Sequence, residues 1–156
     1  MKALVISDSH GNFTSALTAH DQAGPVDALI HLGDGCGDAE LLRSALDIPV
    51  ISVAGNCDFG TDVPRELLWE CEGKKILLVH GDIYRVKSGL ALLEQRAREL
   101  QVDAVLFGHT HVAMQEERSG LLMLNPGTLI KGGRFQSYAI LTFATKSISA
   151  RISELN

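Results

Sequence analysis

Asp8, His10, Asp34, Asn56, His80, His109 and His111 are the residues of this 156-residue chain whose types and spacing can do chemistry. Each follows a short apolar run and lies beside Gly or Ser: Ser7-Asp8-Ser9-His10-Gly11, Gly33-Asp34, Gly55-Asn56, His80-Gly81 and Gly108-His109-Thr110-His111. Two carboxylates, four imidazoles and one amide make a ligand set for divalent metal. Mixed imidazole and carboxylate donors suit Mn, Fe, Zn, Co or Ni better than the all-oxygen sets typical of Mg or Ca. Seven ligands exceed the roughly four to six of one ion and match two ions if one Asp bridges. Two metals about 3.5–4 Å apart can clamp a phosphoryl group and supply a hydroxide. An extended backbone at Asp8-x-His10 and at His109-x-His111 would aim both members of each pair at one point, because residues i and i+2 share a face.

The elements that must position these residues are legible as alternating strands and helices. Apolar runs predict strands at Ala3–Ile6, Asp27–Leu32, Val50–Val53, Lys75–Val79 and Asp103–Phe107. Helical spacing predicts a helix from about Asn12 to the Gly24-Pro25 stop, a second over Asp38–Leu46 with Asp38 as its cap, and a third over Ser88–Gln101. This alternation implies βαβ units and a largely parallel sheet. After Phe107 the helices stop. Val112–Arg118 with Leu121–Leu124, and Ser137–Phe143 with Ser147–Ser153, read as two hairpins. Ile148, Ala150 and Ile152 alternate with Ser147, Ser149 and Arg151, the pattern of an antiparallel strand with one wet face. Every chemistry-bearing residue then falls just after a strand C-terminus, the edge where open α/β sheets bind ligands.

These ordered blocks, with Asn125-Pro126-Gly127-Thr128 and the short chain, resemble the calcineurin-like metallophosphoesterase superfamily, in its small prokaryotic phosphodiesterase branch (YfcE-like). The resemblance covers essentially the whole chain as one domain. It implies an α/β fold, a four-layer α/β/β/α sandwich of two mixed sheets flanked by helices. It also implies two divalent ions, Mn first, with Fe, Zn, Ni, Co or Mg as alternatives. Asp8, His10, Asp34 and His111 would hold one ion; Asp34, Asn56, His80 and His109 would hold the other, with Asp34 bridging. Asp34, Asn56 and His109 would be central to catalysis, an in-line attack of metal-bound hydroxide on a phosphate ester. The alternatives are a phosphomonoesterase and a non-catalytic protein-binding scaffold of the same fold. Two positions depart from the wider family: Cys57 stands where a His usually follows Gly-Asn, and Asp82 stands where many relatives carry His.

Cys57, Asp58, Arg85 and Arg134 are candidate substrate-lining residues, the arginines because guanidinium suits phosphate oxygens. His20 reads as a surface residue and His31 as a core residue or one behind the ligands. Cys36 reads as a loop residue near the site and Cys71 as structural. Composition narrows the partners. Charge is 14 Lys+Arg against 19 Asp+Glu, a net of −5. That disfavours an extended nucleic acid, whose binders show a basic footprint, and leaves a small phosphate ester. The apolar runs near Ile76–Val79 and Ala104–Phe107 fall far short of the ~20 residues of a membrane span. Three Cys are too few for a disulfide scaffold, and Met1–Leu4 running straight into Ser7-Asp8-Ser9-His10 fits no secretory leader. The expectation is a cytoplasmic domain, with exposed hairpin edges offering a route to a homo-oligomer.

Overall fold

A computed structural model describes residues 1–145 and 147–156. Among the described residues there are ten strands and three α-helices. The strands are β1 (Lys2–Ile6), β2 (Ala28–His31), β3 (Val50–Ser52), β4 (Glu66–Cys71), β5 (Lys74–Val79), β6 (Ala104–Leu106), β7 (Met114–Arg118), β8 (Leu121–Asn125), β9 (Ser137–Ala144) and β10 (Ser147–Glu154). The helices are α1 (Phe13–Ala23), α2 (Cys36–Ala45) and α3 (Ala91–Glu99). One sheet has the order β10-β9-β1-β2-β3 and the other β4-β5-β6-β8-β7. Both are mixed. The β1-β2-β3 and β5-β6-β8 cores are parallel, and β9, β10, β4 and β7 join antiparallel. The two C-terminal hairpins therefore lie in different sheets.

Three apolar layers separate four layers of structure. Between the sheets pack Val5, Ile30, Ile76, Leu78, Leu106, Leu124 and Leu141. Alternate residues of the same strands face outward. Leu4, Ile6 and Leu29 meet Ala16, Ala19 and Leu42 of α1 and α2, while Leu77, Val79 and Val105 meet Leu93 and Ala97 of α3. Strands buried on both faces read as unbroken apolar runs, which is why they stand out in the sequence.

Three expectations need correction. Strand β4 was not expected. Leu67, Trp69 and Cys71 alternate toward the inter-sheet core, and the Glu72-Gly73 turn, with both φ positive, returns the chain into β5. That alternation was the available signal, masked by Leu68 pointing outward at 42% exposure. Helix α2 starts at Cys36 rather than at Asp38, which lies buried inside its first turn. Helix α3 is shorter than Ser88–Gln101, because Gly89 at φ 137° breaks it from a 3₁₀ turn at Val86–Ser88. Helix α1 begins as expected, with Asn12 as its N-cap accepting from Ser15 N.

Leu78 is fully buried between the sheets opposite Leu67. Leu78→Ala should cost about 2–5 kcal/mol, a cavity the rigid sheets cannot close. Urea unfolding should show a lower midpoint at unchanged m-value.

Candidate metal centre

The strand ends β1, β2, β5 and β6 bring their loops to one point, and the carboxylates of Asp8 and Asp34 lie at its floor. Asp8 is completely buried. Its Oδ2 accepts from Ser7 Oγ and from His109 N at 3.1 Å. Its Oδ1 is buried with no hydrogen-bond partner. Around that atom stand the Nε2 atoms of His111 at 3.0 Å, His80 at 3.8 Å and His10 at 3.9 Å. Asp34 Oδ2 lies 3.3 Å from His80 Nε2 and 3.7 Å from His10 Nε2. His109 Nδ1 meets His80 Nε2 at 3.1 Å.

Two ligand groups emerge, Asp8–His10–His111 and Asp34–His80–His109, the donor atoms in each lying within 4.8 Å of one another. A third, His10–Asp34–Cys57, is equally tight. A buried carboxylate oxygen facing imidazole nitrogens with no partner is costly unless a cation completes it, so the donor set fits divalent metal. The imidazoles are prepared for it. His80 Nδ1 pairs with the Leu32 carbonyl at 2.8 Å, which assigns the proton there and turns the Nε2 lone pair toward the carboxylates. Burial, then the neighbouring His80 and Lys87, lower the His109 pKa and favour the neutral ligand form.

The expectation of extended backbone at the paired ligands is overturned. Asp8, His10, Asp34, His109 and His111 have φ of 52°, 48°, 53°, 66° and 60°. Left-handed turns at the strand ends, rather than pleat alternation, swing these side chains to one centre. Asp and His tolerate this region better than most residues, yet such conformations cost about 1–3 kcal/mol each and persist only when the surroundings impose them. Tight approach is part of that imposition. A Cβ at Gly55 would overlap Asp34 Oδ1, and one at Gly108 would overlap Ser7 Oγ.

Residues outside the candidate ligand set hold the loops, His31 among them as expected. Asn125, buried, donates to Gly108 O at 2.9 Å and to Thr110 Oγ1 at 3.0 Å, clamping the loop of His109 and His111. Thr128 Oγ1 donates to the Asp8 carbonyl at 2.9 Å. His31 is fully buried, and its Nδ1 accepts from Gly33 N at 3.2 Å. Its Nε2 meets Ser9 Oγ at 2.8 Å, and Ser9 in turn donates to Asp38, which also accepts from Gly11 N at 2.9 Å. Burial lowers the His31 pKa to about 4 against the pull of Asp38, Asp58 and Asp8, so the ring is neutral.

Asp58 reaches the cleft wall, but both its oxygens are engaged by backbone: Asp34 N at 2.7 Å, Gly35 N at 3.0 Å, Cys36 N at 2.9 Å and Gly55 N at 2.8 Å. Burial works to raise this carboxyl, and hydrogen bonds from the Cys36, Gly55 and Asp34 backbone and the Cys36 side chain hold it below its usual range. Asp58 thus caps α2 from a distant loop, the role expected of Asp38. Asn56 is exposed at the rim, donating to Cys57 Sγ at 3.5 Å. Arg85 is exposed beside a separate shallow depression with Tyr84 and Ser88. Arg134 is exposed, and its guanidinium lies 5.2 Å from the Phe135 ring centre. Asp82 pairs with Arg65.

The model of the calcineurin-like phosphoesterase superfamily domain matches residues 1–146. The chain belongs to that superfamily. Among relatives, the probable metallophosphoesterase YsnB of Bacillus subtilis is 42% identical, over 97% of this chain and 89% of its own. Phosphodiesterase YfcE of Escherichia coli is 28% identical, over 96% and 92%. The crystal structure of a predicted phosphoesterase from Streptococcus pneumoniae superposes with a TM-score of 0.83 at 28% identity, covering 98% and 88%. The chain is a metallophosphoesterase-family domain of α/β fold. Among its described residues no helix is long and apolar enough to cross a membrane.

Asp8→Asn should separate the cost of the orphaned oxygen from its use. In chelator-treated protein the variant should be more stable than wild type, on the order of 1–3 kcal/mol, the penalty of an unsatisfied buried polar atom. It should also lose the rise in melting temperature that Mn²⁺ gives wild type. Thermal scans with and without Mn²⁺ check both.

Proposed function

We propose that the chain is a binuclear metal-dependent phosphoesterase acting on small phosphodiesters in the cytoplasm. The observation that carries this reading is the buried, unpartnered Asp8 Oδ1 ringed by imidazole nitrogens. Asp8, His10, Asp34 and His111 would hold one ion; Asp34, Asn56, His80 and His109 would hold the second. The two separate ligand groups, with Asp34 within reach of both His10 and His80, support two ions sharing one carboxylate. Mn²⁺ is the metal to test first. When bound, such ions polarise phosphoryl oxygens and bring the pKa of water toward neutrality.

The chain's own residues do the rest. Asn125 and Thr128 hold the ligand loops, so little reorganisation is needed as charge develops on the phosphoryl group. Cys57 lines the cleft over the carboxylates. Its thiol pKa is raised by burial, by the hydrogen bond with Asp34 and by the surrounding carboxylate charges, so it offers no cation and a weak acid. Leaving oxygens that need no strong protonation suit such a site, which favours an activated diester over an alkyl monoester. The likeness to phosphodiesterase YfcE supports the same choice.

Asp34→Asn should lower hydrolysis of bis(4-nitrophenyl) phosphate by more than the ~10–100-fold that an outer-shell partner costs. Its circular dichroism should stay native and its bound Mn²⁺, measured by elemental analysis, should fall. Turnover like wild type would overturn the two-ion assignment. Cys57→Ala should keep activity within about tenfold; a loss of 10²–10⁴, the contribution of a general acid, would restore the thiol to the chemistry.

A further inference from the structure

The cleft over the carboxylates extends along the N-terminal half of α2 as an open cavity of about 470 Å³. Its inner end is His10 and Asp34, and its outer wall is Leu41, a leucine 53% exposed on the solvent face of α2. Through Cys57 and Asp58 it continues into a second depression that ends at Phe59, which is 88% exposed. An aromatic ring and a leucine standing this open, in walls continuous with the metal ligands, form an apolar ledge beside the reacting centre.

No Lys or Arg lines either depression among the described residues. Arg43, one turn along α2, is turned to Glu40 at 2.6 Å and to the Val50 carbonyl at 3.1 Å. The positive end of α2 would ordinarily attract an anion, but its first N–H groups already donate to Asp58. Asp38 is likewise engaged with Gly11 N and Ser9 Oγ. The two depressions therefore set the apolar surfaces of Leu41 and Phe59 among the carboxylates of Asp34, Glu40 and Asp58, and offer no cationic side chain to a second anionic group.

We propose that this ledge is the subsite for one ester arm, and that it selects phosphodiesters whose arms are uncharged and carry apolar or aromatic surface, against arms bearing a carboxylate or further phosphate. Leu41 and Phe59 are the specificity-determining residues. The inference rests on the phosphoesterase reading, since the metal-facing end must hold the phosphoryl group.

The test uses two symmetrical substrates, bis(4-carbamoylphenyl) phosphate and bis(4-carboxyphenyl) phosphate. They have similar shape and differ in arm charge. Wild-type, Mn²⁺-loaded protein should favour the carbamoyl diester in kcat/KM. Leu41→Lys should narrow that preference about two- to fivefold, the worth of one new exposed ion pair, mainly through KM of the carboxylate diester. Comparing the ratio between proteins cancels the intrinsic reactivity of the two leaving groups. Phe59→Ala should raise KM for the carbamoyl diester. Both positions are exposed, so folding is not at risk. A ratio of the two kcat/KM values unmoved by Leu41→Lys would overturn the subsite while leaving the phosphoesterase reading intact. Hydrolysis of neither diester, nor of bis(4-nitrophenyl) phosphate, would overturn that reading and the subsite with it.

Discussion

Two carboxylates, Asp8 and Asp34, are held in the interior with imidazoles rather than cationic side chains around them. A buried anion without a paired cation is the most expensive arrangement a fold can keep. The surrounding design follows from this one constraint. The imidazoles approach with lone pairs rather than protons where the hydrogen bonding assigns them, as at His80 against the Leu32 carbonyl. Partial compensation comes from Ser7 and the His109 N–H on one oxygen of Asp8 and from the Cys57 N–H on Asp34. The remaining Asp8 oxygen has no hydrogen-bond partner, an arrangement that costs folding stability and that a bound cation would complete.

Holding that geometry requires backbone that chains avoid. Five of the seven candidate ligands sit in the left-handed region, and each conformation must be imposed from outside the loop that contains it. The clamps are long-range. Asn125 reaches back 17 residues to Gly108, Thr128 reaches 120 residues to Asp8, and Asp58 ties together the loops after β2 and β3. The His31–Ser9–Asp38 chain performs the same task beneath His10. Loop strain and loop clamps are two sides of one device: rigid ligand positions on sheets that cannot yield.

The acidic balance of the chain acquires a location in this picture. Two divalent ions would take the formal net charge from −5 to −5 + 4 = −1, with the added charge concentrated at one sheet edge. A phosphate would be drawn to that edge, while the carboxylates along α2 and the absence, among the described residues, of lysine or arginine from the cleft would give a polyanion nothing further to hold.

The amino-acid sequence by itself determined the candidate ligand types, their order and their placement after strand ends, because strands buried on both faces declare themselves as apolar runs bounded by Gly. The helix at Asn12 was legible for a similarly local reason: the cap and the residues it serves are three apart. What only the tertiary structure decided depends on contacts between distant segments. The cap of α2 comes from Asp58 rather than from Asp38, and β4 becomes a strand by pairing with β5 and packing Trp69 against Phe143. The candidate ligands converge through left-handed turns rather than extended pairs. A left-handed Asp or His has no signature in local sequence, since its cost is offset only by groups that the fold carries in from elsewhere. The same holds for the orphaned oxygen of Asp8. A carboxylate shows in the sequence, but its burial from water without a hydrogen-bond partner is a property of the folded chain alone.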